Sequence, residues 1–343
     1  MSTTVSVLGA GRRRRAQRRT TVVAVLAVLV VAAWFTSLMV GHRFYGPGDV
    51  LQVLLGQPVP GASFTVGDLR LPRAFLAALT GAAFGLGGAT FQTMLRNPLA
   101  SPDVIGISTG ASAAGVFAIV VLGLSGPAVS GIAVVAALGV ALGIHVLAWQ
   151  DGVVGSRLVL IGIGVAAMLH AVVSWVLIQA SEWDVQAAMR WFTGNLNSAD
   201  WPLVVPLAVV MVVVVPVLLA QAASLDLLHL GDDTAAALGV PVERTRLVCV
   251  IAAAVLVACA TAAAGPIAFV AFLAGPIAAR LVGGARSLLV PAALVGALIV
   301  LLGDQAGQWA LGVRYPVGVV TGALGAPYLV HLLIRTNRTG GGL

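Results

Sequence analysis

The 343-residue chain is 59% hydrophobic and only 9% charged, with a mean hydropathy of +1.04, whereas a soluble domain carries about 25% charged residues. So few polar side chains cannot coat the chain against water, and lipid must cover much of its surface. All 19 basic residues are arginine, against 12 acids; with no lysine the chain can build neither a phosphate-binding P-loop nor a Schiff base, so any ATP it uses is bound by another polypeptide.

The positive charge gathers at the start, in Arg12 to Arg15, Arg18 and Arg19, and Thr20 to Val40 carries none. A nucleic-acid reading of this cluster gives way to its context: basic residues directly before a span keep the N-terminus cytoplasmic. A cleaved leader is the rival, but the apolar run is long for one and lacks a small-x-small cleavage site. Charge-free stretches of about 20 residues can cross ~30 Å of hydrocarbon. The sequence therefore predicts an all-α, polytopic bundle of about ten spans: Thr20–Val40, Ala74–Leu95, Val104–Leu124, Ala128–Trp149, Leu158–Ser181, Pro202–Leu225, Leu247–Ala264, Pro266–Leu281, Ser287–Gly303 and Tyr315–Ile334. An Arg-rich cytoplasmic tail over 1–19, a membrane domain over 20–335 and a cytoplasmic tail over 336–343 complete the division.

The eighth span is interrupted by Gly265-Pro266 and Gly275-Pro276, and a broken helix is expected there; such backbone survives at membrane depth only when buried in protein or lining a cavity. An even number of spans puts both termini inside, with Arg96, Arg157, Arg280, Arg286, Arg335 and Arg338 at the inner face and Glu182, Asp184 and Asp200 outside. Residues 226–246 mix acids with arginines and do not discriminate, because acids contribute little to orientation. Glycine pairs at Gly81/Gly85, Gly106/Gly110 and Gly318/Gly322 predict close helix packing.

Four segments stand out. Arg70-Leu71-Pro72-Arg73 lies at the outer mouth of the second span; Pro72 suits a helix start, and the arginines either anchor at headgroup level or meet a partner's carboxylates. From Gln92 to Asp103, Pro98 and Pro102 hold Asn97 and Ser101 out of helical geometry, and polar residues continue through Ser108, Thr109 and Ser112 into the next span, as expected where side chains face an interior or cavity. In Leu230-Gly231-Asp232-Asp233, then Ala235 to Leu238-Gly239-Val240-Pro241, an aspartate can cap a short helix that Gly239 ends. Such a helix is either a connector or a knob for a cytoplasmic partner. The fourth segment, Pro316 to Tyr328, is rich in small residues.

No segment is catalytic. His42, His145, His170, His229 and His331 have no metal-ligand spacing, and intramembrane His145 and His170 read as polar packing residues rather than a proton relay. Cys249 and Cys259, about 15 Å apart along one helix, are beyond disulfide reach.

Taken in order, these segments resemble the FecCD family of permeases, which import ferric siderophores, haem and vitamin B12. The match comprises Arg-x-Pro-Arg, Gln-x-x-x-x-Asn-Pro-Leu-Ala-x-Pro-Asp and Gly-x-Ser-x-Gly-Ala from Arg70 to Ala111, Ala-x-x-Leu-Gly-Val from Ala235 to Val240, and Pro-Val-Gly-Val-Val-Thr to Gly-Ala-Pro from Pro316 to Pro327. The resemblance implies ten spans and a pair of permeases around a path touched by Gln92, Asn97, Pro98, Ser108, Thr109 and Ser112. It also implies two ATPase subunits docked on residues 230–240, and a substrate-binding protein outside near Arg70, Arg73 and Arg314. No cofactor is expected on this chain; ATP and Mg belong to the ATPases. Departures are Pro276-Ile277-Ala278-Ala279-Arg280 for Pro-His-x-x-Arg, Gln308 for the arginine four residues after Asp304, and Arg314 for a glutamate. The first looks most like the enterobactin-type branch, which implies ferric siderophore as cargo, with haem or vitamin B12 as the alternative, and favours a heterodimer of permeases over a homodimer. An ATP-independent secondary transporter would need charged or ion-coordinating midplane residues, of which the sequence offers few.

Overall fold

The computed structural model describes residues 2–103, 106–148, 155–283, 287–310 and 312–338. Val104, Trp149, Arg286 and residues 339–343, all named in the sequence expectations, lie outside the described residues. Fourteen α-helices follow in chain order: α1 (Ser2–Met39), α2 (Pro47–Leu54), α3 (Leu71–Met94), α4 (Ile107–Val120), α5 (Pro127–Ala148), α6 (Gly155–Ile178), α7 (Glu182–Phe192), α8 (Trp201–Ala220), α9 (Ala222–Leu228), α10 (Asp232–Ala237), α11 (Val242–Ala264), α12 (Val270–Val282), α13 (Leu289–Trp309) and α14 (Val317–Arg338). A π-helical segment, Ser63–Arg70, runs straight into α3. The fold is all-α among the described residues. Seven helices are long and apolar enough to cross a membrane, and α4, α12 and α14 supply three shorter apolar pieces.

The chain organises around α3. Every residue from Ala83 to Met94 is buried, as expected of a helix that is apolar on all sides and sits at the centre of a bundle. It packs most extensively on α13, then on α11 and α12. Gly81 and Gly85 make the first contact: a Cβ on either would collide with the backbone of Gly296 or Ala292 on α13, and one on Gly296 would strike Gly81. Bare backbones thus meet, and dispersion between them replaces contacts that lipid cannot match. Gly318 uses the same device against Thr193 and Gly194. Gly106 does not. Its φ of +88° at the N-cap of α4 shows that conformation, not packing, requires glycine there.

Two passes are shorter than their charge-free sequence predicted. Around the prolines at 98 and 102 the described residues 97–103 are not helical, and α4, starting at Ile107, has 14 residues and rises only about 21 Å. Gly265, at φ +72°, ends α11 and Phe269, at φ +64°, precedes α12, which has 13 residues and rises about 20 Å. Gly265-Pro266 therefore interrupts the chain, and the helix of the eighth pass begins at Val270 rather than Pro266; at Gly275-Pro276, where a second break is expected, α12 runs on without interruption. Charge-free runs gave no sign of α2, α7, α9 or the π-helical segment. Across position 19, α1 is continuous.

Interactions among the termini of these elements define two ends. At one, Arg18 donates to the Arg280 and Leu281 carbonyls and Arg19 to Ser287, beside the connectors after α3 and before α11. At the other lie α2, the π-helical segment, α7 and the loop before α14.

Candidate functional site

A cavity of about 630 Å³ lies where the two short passes begin. One wall is Leu99, Ser101, Asp103, Ser108, Thr109 and Ser112, from the connector and first turns of α4; the facing wall is residues 266–269 and Phe272, closed by His170 of α6, Phe192 of α7 and Leu329 of α14. The polar side is tied together. Ser108 Oγ donates to Asp103 Oδ1 at 2.5 Å and Ser101 Oγ to Oδ2 at 3.3 Å. Burial pushes the Asp103 carboxyl above the ordinary carboxylate value, and the two hydroxyls oppose the shift by donating to the ionised form. Ser112 Oγ is occupied by the Ser108 carbonyl. Three phenyl rings and Leu329 make much of the remainder apolar, so with the Ser101, Ser108 and Ser112 protons engaged the cavity offers the Thr109 hydroxyl, one imidazole, the Asp103 carboxyl and a broad apolar wall. A second cleft of about 350 Å³ lies around Trp191, Asn195 and Asp200 and reaches Gly265; none of the residues expected along the path lines it.

Of the six residues expected along a path, Ser108, Thr109 and Ser112 line the cavity. Gln92 does not: buried, it donates to the Phe272 carbonyl at 3.0 Å and so pins α3 to α12. Asn97 and Pro98 shape the approach, with Asn97 Oδ1 accepting the Leu99 N–H at 2.9 Å. His170, Phe192, Phe269 and Phe272 escaped sequence reasoning. For Phe269 a signal existed in the Gly265-Pro266 break; for His170, read as packing, the signal was only an imidazole inside an apolar run.

The short helix α10 stands where Asp232 to Leu238 predicted it, and Gly239, at φ +86°, ends it. Neither aspartate caps it, however. Gly231 occupies the N-cap without a side-chain bond, because Asp232 is drawn instead to two guanidiniums: Arg96 Nη2 at 3.3 Å and Arg246 Nη2 at 2.7 Å. Charge-assisted bonds of this kind outweigh a single backbone N–H. Ala235 and Val240 are buried under the helix, while Leu230 and Leu238 are 60% and 57% exposed and Asp233 is exposed. Two bare leucines and a carboxylate thus project from one small knob.

At the opposite end, Arg70 caps α1, donating to the Leu38, Met39 and Arg43 carbonyls at 2.8, 3.0 and 2.7 Å. Arg73 makes a two-point bond to Asp304, with both distances 2.8 Å, and Gln308 donates to the same carboxylate at 2.7 Å. Arg314 is exposed; it stacks over Trp309 and touches His42. Among the described residues no cluster of side chains could hold a metal ion.

The profile of the FecCD transport family matches residues 29–335. The ferric enterobactin transport system permease protein FepG of Escherichia coli K12 is 41% identical over 309 residues, covering 90% of this chain and 94% of that protein. The Fe(3+)-citrate import system permease protein YfmE of Bacillus subtilis 168 is 34% identical, with 89% and 92% covered. The vitamin B12 import system permease protein BtuC of Salmonella typhi is also 34% identical, with 91% and 94% covered. A solved inward-facing structure of a metal-chelate type ABC transporter superposes with a TM-score of 0.83 at 26% identity, over 92% of this chain and 99% of that one. With this coverage and the all-α multi-pass fold, the chain belongs to the FecCD transport family and is the permease of a metal-chelate type ABC importer.

Proposed function

We propose that the chain forms half of the path by which a ferric siderophore enters the cytoplasm, and that partner chains bind and hydrolyse the ATP. The cavity carries this reading: the Thr109 hydroxyl and the His170 imidazole can meet the oxygen rim of a chelate, and the phenyl wall its organic shell. Siderophore permeases among the relatives support the cargo, with 41% identity to the ferric enterobactin protein against 34% to the vitamin B12 protein.

In this reading Leu230, Asp233 and Leu238 seat α10 in an ATPase groove, with ATP and Mg held there. The termini lie in the cytoplasm with the arginines of α1. At the outer end Arg314 meets the substrate-binding protein, while Arg70 and Arg73 hold the shape of the mouth. A second, non-identical permease completes the path, supported by the likeness of Pro276 to Arg280 to the enterobactin-type branch. ATP binding then switches the pair between outward- and inward-facing states by rigid-body motion.

Uptake of labelled iron by cells expressing the system, tested across catecholate, hydroxamate and citrate chelates with haem and cobalamin as controls, decides the cargo. At least one ferric siderophore is taken up in an ATP-dependent way; uptake of cobalamin or haem alone contradicts the proposal.

A further inference from the structure

Arg96 and Phe269 are the two described non-glycine residues with positive φ, and Arg96 sits at +52°. An L side chain is disfavoured there, and arginine has none of the local bonding that lets asparagine tolerate it. The turn that ends α3 sets this conformation, with the Arg96 N–H on the Thr93 carbonyl and the Asn97 N–H on the Gln92 carbonyl, and from it the guanidinium reaches Asp232, 136 positions along the chain, at the first residue of α10. The other oxygen of Asp232 is held by Arg246, in the opening turns of α11, whose guanidinium also lies 3.7 Å from Glu243. One carboxylate therefore bridges α11 to the connector that leaves α3.

That connector leads directly into the cavity. The Asn97 N–H bonds back to Gln92, the Ala100 N–H to the Asn97 carbonyl, and the Leu99 N–H to the Asn97 side chain. Three residues beyond Arg96, Leu99 is on the cavity wall, followed by Ser101 and Asp103. The turn is rigid for its length, so a displacement at Arg96 has few torsions in which to dissipate before Leu99. The Arg96 and Asp232 side chains are 42% and 40% exposed, and pairs that open to water stabilise a fold little. What the pair does is join α10 to the turn that enters the cavity wall.

We propose that Arg96 is a positioning residue that transmits displacement of α10 to the cavity wall at Leu99–Asp103. The proposal rests on the reading of this chain as an ATP-driven permease. When α10 is pushed by its partner, Asp232 moves with it, Arg96 follows, and the Asn97–Ala100 turn shifts Leu99 against the cargo. Without the guanidinium, α10 still docks but the cavity no longer senses it.

The test measures ATP hydrolysis and iron-chelate transport side by side in the assembled transporter in proteoliposomes. Arg96→Gly removes the guanidinium and relieves the backbone; Arg96→Asn tolerates the same conformation and is too short to reach Asp232. Both should hydrolyse ATP near the wild-type rate while transport per ATP falls at least about 5-fold, and Arg96→Lys should retain most of the coupling. Adding Asp232→Asn to Arg96→Gly should lower transport per ATP no further than Asp232→Asn alone, because both changes open the same link. Unchanged transport per ATP in Arg96→Gly or Arg96→Asn overturns the proposal, as does full additivity with Asp232→Asn. A wild-type assembly that hydrolyses ATP but carries no chelate overturns the cargo reading instead, so the two failures are distinguishable.

Discussion

The carboxylate of Asp304 is held inside the bundle with its side chain only 5% exposed, between the fork of Arg73 and the amide of Gln308. Removing one partner of such a pair leaves a charge without adequate compensation in a poorly solvated place. Arg73→Leu should therefore lower stability by about 3 kcal/mol, while Arg73→Leu with Asp304→Leu should recover most of the loss; unfolding in detergent measures both, and equal losses would contradict this view of the pair. At this scale the sequence was least legible. Arg70 and Arg73 were visible as paired arginines near a mouth, but local spacing contains no information about Leu38, Met39 or Asp304, which reach them from other elements. Gln92 shows the same limit: a glutamine in an apolar run reads as path-lining, yet its amide is taken by the Phe272 carbonyl. Ser108, Thr109 and Ser112 were legible because they share one helix with its polar approach.

Among the elements, α3 and α13 set how tightly the bundle closes. At Gly85 a side chain would enter the backbone of Ala292, and no rotamer change relieves a clash with backbone. Gly85→Leu should separate the helices and cost about 2 kcal/mol or more, whereas Gly131→Leu, on α5 with open space around its Cα, should be close to neutral. Thermal unfolding in detergent compares the two, and equal effects would show that glycine at 85 serves no packing role. Apolar runs made the passes legible to within a few residues, and Gly265-Pro266 marked the broken one. The runs overestimated α4, because proline and the left-handed Gly106 act on backbone geometry that hydropathy does not register. Surface elements such as α2 and α7 mix polar and apolar residues at helical spacing over too few turns to stand out.

At the scale of the whole molecule, the chain supplies a scaffold, a cavity between two short passes, and an exposed knob at the end that carries the arginines of α1. The missing lysine argues that ATP chemistry lies elsewhere, and under the proposed function α10, with Leu230 and Leu238 facing outward, is the point at which that chemistry attaches. Under the same proposal, the cavity's open, apolar wall is one side of a path that a second permease completes. The knob's existence was legible from Gly231 to Pro241, whereas its ion-paired tether to Arg96 was not, since that link spans most of the intervening fold. The decisive measurement is purification of the tagged chain from native membranes, with and without Leu238→Asp, followed by ATPase assay of the recovered complex and iron-chelate uptake by the same cells. The wild-type chain should bring down an ATPase subunit and support uptake, and Leu238→Asp should lose at least about 10-fold of both; recovery of no ATPase with uptake intact would contradict the division of labour between this chain and its partners.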